Sequence, residues 1–350
     1  MDHQPSRVLI TGGAGFIGCN FVRYLLKTDR AVQLVNLDKL TYAGSLDNLR
    51  DLPDPTRHRF VQGDICNGAL VERLLRKYDI DTVVHFAAES HVDRSINGPS
   101  AFIQANMVGT FTLLEAARTV WLDKQRPPIR SVRFHHISTD EVYGTLARHD
   151  PPFAETTPYA PNSPYSASKA GSDHLVRAYG HTYGLPWVAT NCSNNYGPYQ
   201  HPEKFIPTVI RSAIGRQAIP VYGDGSNIRD WLYVEDHCRG IDTVLRHGHV
   251  GETYNIGGDN EWANLDIARA ICRLLDERRP EDRPHERLIH FVDDRPGHDW
   301  RYAIDTAKIK KILHWQPQET FASGIARTID WYLRVAPPIP LNNNPKPPQV

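Results

Sequence analysis

The sequence predicts an α/β protein, a doubly wound parallel sheet with a smaller C-terminal lobe. Three observations predict it: short β-branched runs alternate with helical patterns over the first half of the chain, a glycine cluster follows the first run, and beyond about residue 190 the texture changes to Pro-, Gly- and Asn-rich segments with shorter regular pieces. With 350 residues the chain exceeds the usual size of a single core, so one large domain carrying a second lobe is expected.

The runs are RVLI (Arg7 to Ile10), VQLVNL (Val32 to Leu37), RFVQ (Arg59 to Gln62), TVVHF (Thr82 to Phe86) and VRFHHIS (Val132 to Ser138). Between them, Phe16 to Leu26, Ala69 to Tyr78 and Met107 to Ala117 carry apolar residues at spacings of three and four, as helices that cover a sheet should. NNYGPYQHPEK, VYGDGSN, NIGGDNEWANL and DDRPGHDW then look like loops folded over a ligand. DERRPEDRPHE (Asp276 to Glu286) is polar enough for a surface excursion, and the tail APPIPLNNNPKPPQV is too poor in core residues to be ordered. The division expected is a nucleotide-binding domain over 1–193 with the catalytic residues, a substrate-binding lobe over 194–335 with some interleaving, and a flexible tail over 336–350.

Composition narrows the partners. Lys plus Arg balance Asp plus Glu at 40 each and no block of like charge stands out, which argues against nucleic acid or an anionic membrane and favours a small molecule. The five cysteines are scattered, odd in number and never in C-x-x-C, so neither a disulfide framework nor a zinc site is suggested. Neither a secretion signal nor a membrane-spanning apolar stretch is evident, and a cytoplasmic protein is expected. His135 and His136 invite a metal reading, but adjacent strand residues point to opposite faces, and no metal is expected.

The first run leads into TGGAGFIG, in which Gly13, Gly15 and Gly18 form G-x-G-x-x-G while Gly12, Gly15 and Gly18 form G-x-x-G-x-x-G around Phe16 and Ile17. A lone match is weak. Here it follows a strand, opens a helix and has Asp38 about twenty residues past Gly18, the context of a dinucleotide fingerprint and hence of a Rossmann-type sheet. The glycines permit close backbone approach, and the helix N-terminus accepts a pyrophosphate. Asp38 can accept from a ribose 2′-OH and repels a 2′-phosphate, so NAD is favoured over NADP, while Lys39 beside it partly offsets that repulsion.

Tyr165 and Lys169 stand in Y-S-A-S-K, at i and i+4 of an expected helix. A free tyrosine titrates near pH 10, too high for a base at neutrality, and a nearby ammonium or nicotinamide ring would lower that value. The stretch STDEVYG ends the fifth run with Thr139, Asp140 and Glu141. A generic T-D-E is a solvated turn. At the carboxyl edge of a parallel sheet, where ligands bind, it is a candidate for chemistry.

TGGAGFIG, the Asp38 position, FAAESHVDRS (Phe86 to Ser95), STDEVYG and YSASK together resemble the extended short-chain dehydrogenase/reductase family, whose members act on nucleotide sugars. NNYGPYQHPEKFIP, IRDWLYVEDH, NIGG and DRPGHDWRYAID resemble more narrowly its nucleotide-sugar 4,6-dehydratases, over about Arg7 to Trp331. The resemblance implies a lyase that holds NAD, acts on dTDP-glucose or its uridine counterpart, and serves deoxysugar synthesis. The sugar would be oxidised at C4, lose water across C5 and C6, and regain hydride at C6. Tyr165 would take the C4 hydroxyl proton with Thr139 bonded to the same hydroxyl, Glu141 would remove the C5 hydrogen, and protonated Asp140 would donate to the departing hydroxyl. Neighbouring carboxyls readily split such roles, because ionising one raises the pKa of the other. Epimerases and decarboxylases of the same family share the glycine and Y-x-x-x-K motifs but usually lack the Asp-Glu pair.

The resemblance also implies cofactor contacts from Asp64, Ile65, Ala87, Ala88 and Asn195. Ser90 and Asn194 would lie near the sugar, and Lys204, Phe205, Pro220, Tyr222, Arg229, Asn264, Arg295 and His298 would hold the nucleotide diphosphate, the arginines in bidentate fashion. Ala105 and Trp300 depart from the family pattern, which has a hydroxyl residue and an arginine there. The helices around Met107 to Trp121 and Tyr165 to Tyr183 resemble the pair that builds a homodimer interface.

Overall fold

The computed structural model describes residues 2–123, 125, 131–280, 282–294 and 298–335. Six strands follow one another through the first half: β1 (Arg7–Thr11), β2 (Gln33–Asp38), β3 (His58–Gln62), β4 (Thr82–His85), β5 (Arg133–Thr139) and β6 (Trp187–Cys192). The chain then forms β7 (Asn194–Tyr196), β8 (Ile219–Tyr222) and β9 (Ile228–Tyr233) before β10 (Thr253–Ile256) returns to pair with β6, Thr253 opposite Ala189. The resulting seven-stranded parallel sheet runs β3-β2-β1-β4-β5-β6-β10. The predicted α/β class and parallel sheet are therefore present. The sixth and seventh strands were not among the predicted runs.

Strand alternation divides the core into two layers. Val8, Ile10, Leu34 and Val84 pack with Phe21, Val22 and Leu25 of the helix Phe16–Thr28 and with Ile241 and Val244 of the helix Val234–His247. Leu9, Val35, Leu37 and Val83 face the other way, onto Leu74 of Gly68–Lys77, Leu113 of Gly109–Trp121 and Val176 of Pro164–Tyr183. Each fully buried aliphatic contributes about 1.5–3 kcal/mol, and no one-residue slip preserves both layers.

The lobe has its own core. Ile206, Val209 and Ile210 of Phe205–Ile214, Ile267 and Ile271 of Asn264–Arg278, and Ile325 and Ile329 of Phe321–Val335 close around Tyr196, Trp231 and Tyr233. Two small sheets frame it: β9 pairs with β7, β11 (Glu261–Ala263) and β13 (Arg301–Tyr302), and β8 pairs with β12 (Ile289–Val292). The segment expected as a surface excursion over Asp276 to Glu286 is corrected in part. Asp276 to Arg278 finish a helix, and His285 is buried with Nδ1 2.5 Å from Asp276 Oδ1, so the polar run supplies a buried pair as well as a surface. The tail over 336–350 and Arg295 lie outside the described residues.

β1 connects outward to β2 and β3 on one side, and the order resumes with β4 and β5 on the other. That reversal opens a crevice at the carboxyl ends of the strands. Thr11, Asp38, His85, Thr139 and Cys192 end the strands that surround it.

Candidate active site

A cavity of about 400 Å³ occupies this crevice. Its first half is the glycine turn. Gly12 has φ +73°, and a Cβ there would stand 2.6 Å from the Ala87 amide nitrogen; a Cβ at Gly18 would stand 2.3 Å from the Gly12 carbonyl oxygen. Of the two overlapping glycine patterns, the one that begins at Gly12 thus carries the left-handed residue. Gly15 caps the helix Phe16–Thr28 without a side-chain hydrogen bond, which leaves a helix N-terminus suited to an anion.

Asp38 fixes the next position. Its Oδ2 accepts from the Ala14 amide at 2.9 Å and its Oδ1 from the Leu40 amide at 2.8 Å, so the carboxylate is held at the end of β2 facing the cavity. Lys39 points to Asp64, with Nζ 2.7 Å from Oδ2. This corrects the expectation that Lys39 offsets the charge of Asp38, since its ammonium is already paired. Asp64 in turn is engaged by Lys39 and by the Cys66 amide. Gly12, Gly15, Phe16, Ile17, Gly18, Asp38, Lys39, Asp64, Ile65, Ala87, Ala88 and Asn195 all line the one cavity, as does the divergent Ala105. A dinucleotide fits this lining, because the glycine turn has room only for backbone and a carboxylate stands on the cavity at the end of β2.

The other half holds Ser90, Thr139, Asp140, Glu141, Tyr165, Lys169, Asn194 and Lys204. Two local structures deliver it. Thr139 caps a short 3-10 turn, Asp140–Tyr143, with its Oγ1 accepting from the Glu141 amide at 3.3 Å. Ser163 and Ser166 form a reciprocal capping box at the start of Pro164–Tyr183, with Pro164 in the first turn. Tyr165 is therefore in the first turn of a 20-residue helix, where the dipole favours negative charge.

The two carboxyls sit differently. Asp140 is 1% exposed, its Oδ1 accepts from the Thr139 hydroxyl at 3.3 Å, and its Oδ2 has no partner among the described residues. Burial, then the neighbouring Glu141 and Asp230 carboxylates, push it well above the usual carboxylate range, against the opposing pull of Arg229. Glu141 is only half-buried and faces the cavity.

Tyr165 hydrogen-bonds the Thr139 side chain, and burial followed by the Glu141 charge holds its phenol well above pH 10. Lys169 Nζ donates to the Ile137 carbonyl at 2.8 Å, and burial lowers its own pKa while Asp173 and the Cys192 thiol act in the opposite direction. In the chain without nucleotide, burial and the Glu141 charge dominate the Tyr165 phenol.

Lys204 is on the cavity lining, whereas Phe205, Pro220, Tyr222, Arg229, Asn264 and His298 stand outside it. Lys204 Nζ donates to the Ser90 carbonyl at 2.9 Å, and Phe205 begins the following helix. Arg229, buried, stacks 4.3 Å over the Tyr302 ring, donating to the Asp299 carbonyl at 2.8 Å and the Ile228 carbonyl at 2.7 Å. Tyr222 is exposed at the end of β8, two residues past Pro220, with its ring edge-on to His298, whose Nδ1 is 2.6 Å from Asp294 Oδ1. Asn264 opens its helix with its amide donating to the Asn227 carbonyl at 3.0 Å. The backbone of Trp300 accepts from the Ile228 amide and donates to the Thr145 hydroxyl, so the second departure joins β9 to the loop after Tyr143 through main chain.

Sequence reasoning missed Glu89, Cys192, Gln200 and His201, which also line the cavity. Cys192 had no clear signal, because Thr190 and Asn191 break the apolar run of the strand that it ends. Gln200 and His201 had none beyond their loop. His135 and His136 turn opposite ways as expected, His135 Nε2 lying 3.3 Å from Thr190 Oγ1 and His136 Nε2 2.9 Å from Asp173 Oδ1.

Comparison with known proteins gives consistent likenesses. A family model described as GDP-mannose 4,6 dehydratase matches residues 9–328. The dTDP-glucose 4,6-dehydratase of Xanthomonas campestris pv. campestris (strain B100) is 60% identical over 329 residues, covering 93% of this chain and 92% of that protein. Among solved structures, DesIV, the dTDP-glucose 4,6-dehydratase of Streptomyces venezuelae with NAD and TYD bound, superposes with a TM-score of 0.86 at 46% identity over 94% of this chain and 97% of its own. That of Bacillus anthracis in complex with NAD gives 0.84 at 44% identity, over 94% and 97%.

Proposed function

The chain belongs to the GDP-mannose 4,6-dehydratase family, and from this premise we infer that it is a hydro-lyase converting dTDP-glucose to dTDP-4-dehydro-6-deoxyglucose and water. The likeness to dTDP-glucose dehydratases over nearly the whole chain supports the substrate. The observation that carries the reaction is the Asp140–Glu141 pair, one carboxyl buried and raised, the other half-buried on the same cavity as Tyr165 and Thr139.

Gly12, Gly15, Gly18, Asp38, Ile65, Ala87, Ala88 and Asn195 would hold NAD, as the cavity lining supports. Bound NAD supplies the acceptor and later the donor of the hydride, together with a positively charged ring. Tyr165 takes the C4 hydroxyl proton, and the Thr139 hydroxyl orders that exchange through its bond to the phenol. Lys169 and the helix N-terminus favour the phenolate. The C4 ketone acidifies the C5 hydrogen, which Glu141 removes. Asp140, kept protonated by burial and by Glu141, gives its proton to the C6 hydroxyl as it leaves as water. Ser90, Asn194 and Lys204 line the sugar end, and Arg229 and His298 lie toward the diphosphate.

Ile103, Val108, Phe111 and Tyr183 are exposed apolar residues on the segment Ile103–Trp121 and the helix Pro164–Tyr183, which supports a homodimer built on this face. The five free cysteines support a reducing, cytoplasmic setting.

The test is to incubate purified protein with dTDP-glucose and, separately, UDP-glucose, without added NAD, and to follow the alkali-induced absorbance of a 4-keto-6-deoxy sugar. Product from dTDP-glucose alone is expected. Product from neither, even after NAD is added, would overturn the assignment.

A further inference from the structure

Beneath the catalytic residues lies a buried carboxylate to which the reaction gives no part. Asp173 follows Tyr165 and Lys169 at i+8 and i+4 on the helix Pro164–Tyr183, so all three lie along one face. Its Oδ2 accepts from the Ser138 hydroxyl at 2.8 Å and the Tyr159 hydroxyl at 3.0 Å, and its Oδ1 lies 2.9 Å from His136 Nε2. Ser138 and His136 belong to β5, and Ser138 directly precedes Thr139, Asp140 and Glu141. The Ile137 carbonyl between them takes the Lys169 ammonium.

We propose that Asp173 is a positioning residue of the reaction, which lies one helical turn from Lys169 and supports its charge from there, and whose hydrogen bonds bolt the Thr139 end of β5 to the helix that carries Tyr165. The electrostatics agree. Lys169 is faced by Asp173, Cys192, His136 and His85, and among these Asp173 does most to favour its charged form. Asp173 is faced by Lys169, His136, Tyr159, Tyr143 and His174; burial raises it to about 6, with Lys169 the leading opposing influence. At neutral pH Asp173 is therefore predominantly an anion, and its charge opposes the effect of burial on Lys169.

The inference rests on the proposed dehydratase reading, and two experiments separate the two. Rate against pH is compared for wild type, Asp173→Asn and the double variant Ser138→Ala/Tyr159→Phe. Losing the anion makes Lys169 shed its proton at lower pH, so the alkaline limb of Asp173→Asn should move acidward by about one pH unit or more. The double variant loses two hydrogen bonds that lower the Asp173 pKa but leaves the group ionised on the alkaline limb, so that limb should stay while rate and melting temperature fall. An unmoved limb in Asp173→Asn, or equal movement in both variants, overturns the coupling.

The second experiment needs no turnover and no Asp173 variant. In protein labelled with carbon-13 at the aspartate carboxyls, the Asp173 resonance should titrate at higher pH in Lys169→Met than in wild type, because coupling is reciprocal. An identical titration overturns the proposal, whatever the enzyme acts on.

Discussion

Asp140 and Glu141 are neighbours in sequence and opposites in environment: the first is 1% exposed with an oxygen lacking a partner among the described residues, the second half-buried on the cavity. The end of β5 turns at Thr139 into a 3-10 helix, and that turn separates the two side chains. A shared proton then has one preferred owner. Asp140 carries it, because burial and the charge of Glu141 both disfavour its ionised form.

Removing the proposed proton donor should divide the reaction in two. Asp140→Asn is expected to oxidise C4 normally and to lose water about a hundredfold more slowly. The near-ultraviolet absorbance of reduced nicotinamide would then accumulate on the enzyme. Wild-type product formation by this variant would take Asp140 out of the acid role.

Tyr165→Phe should act one step earlier. It keeps the edge-on ring contact with Phe102 and loses the hydroxyl that meets Thr139, so folding should be retained while reduced nicotinamide never appears. Stopped-flow absorbance with dTDP-glucose distinguishes this variant from Asp140→Asn.

Cofactor choice should depend on Asp38 and hardly on Lys39. Asp38→Ser removes the charge that repels a 2′-phosphate and should shift the NADP to NAD affinity ratio by about tenfold or more. Lys39→Ala should leave the ratio within about twofold, because the ammonium it removes is exposed and paired with Asp64. Fluorescence titration of cofactor-stripped protein checks both.

Stability should fall on mild acidification, in part through His237. This buried imidazole, Nδ1 2.9 Å from Asn195 Oδ1, is lowered to about 3 by burial. A folded pKa below the unfolded one means the unfolded chain binds the proton first, so stability present above 6.5 is lost as pH drops toward 3. From pH 7 to pH 5 its share is about 2 kcal/mol. Urea unfolding of His237→Gln should show a pH dependence shallower by that amount, and equal slopes would contradict the assignment.

The proposed dimer face gives a direct test as well. Phe111→Glu places a charge in the middle of the exposed apolar strip and should halve the mass seen by sedimentation velocity at micromolar concentration, with the melting transition of the single chain retained. An unchanged mass would move the interface elsewhere.

Much of this protein was legible because its signals are local. The glycine turn, Asp38 after the second strand and the Tyr165–Lys169 spacing each depend on residues within one βα unit or one helix, where backbone sterics and periodicity act on near neighbours. Five strands of the main sheet could be read for the same reason. β6 and β10 escaped notice because Thr190 and Asn191, or Thr253 and Asn255, interrupt their apolar character, and only remote strands satisfy them.

By itself, then, the sequence determined the sheet class, the nucleotide turn and the set of reactive residue types. Tertiary structure alone decided which carboxyl of the Asp140–Glu141 pair is buried, that Lys39 belongs to Asp64, that Lys169 bonds Ile137, and that Asp173 reaches back to Ser138. The physical reason is common to all four. Charge states follow from burial and from partners brought close by packing of remote segments, and neither quantity is a property of the local chain.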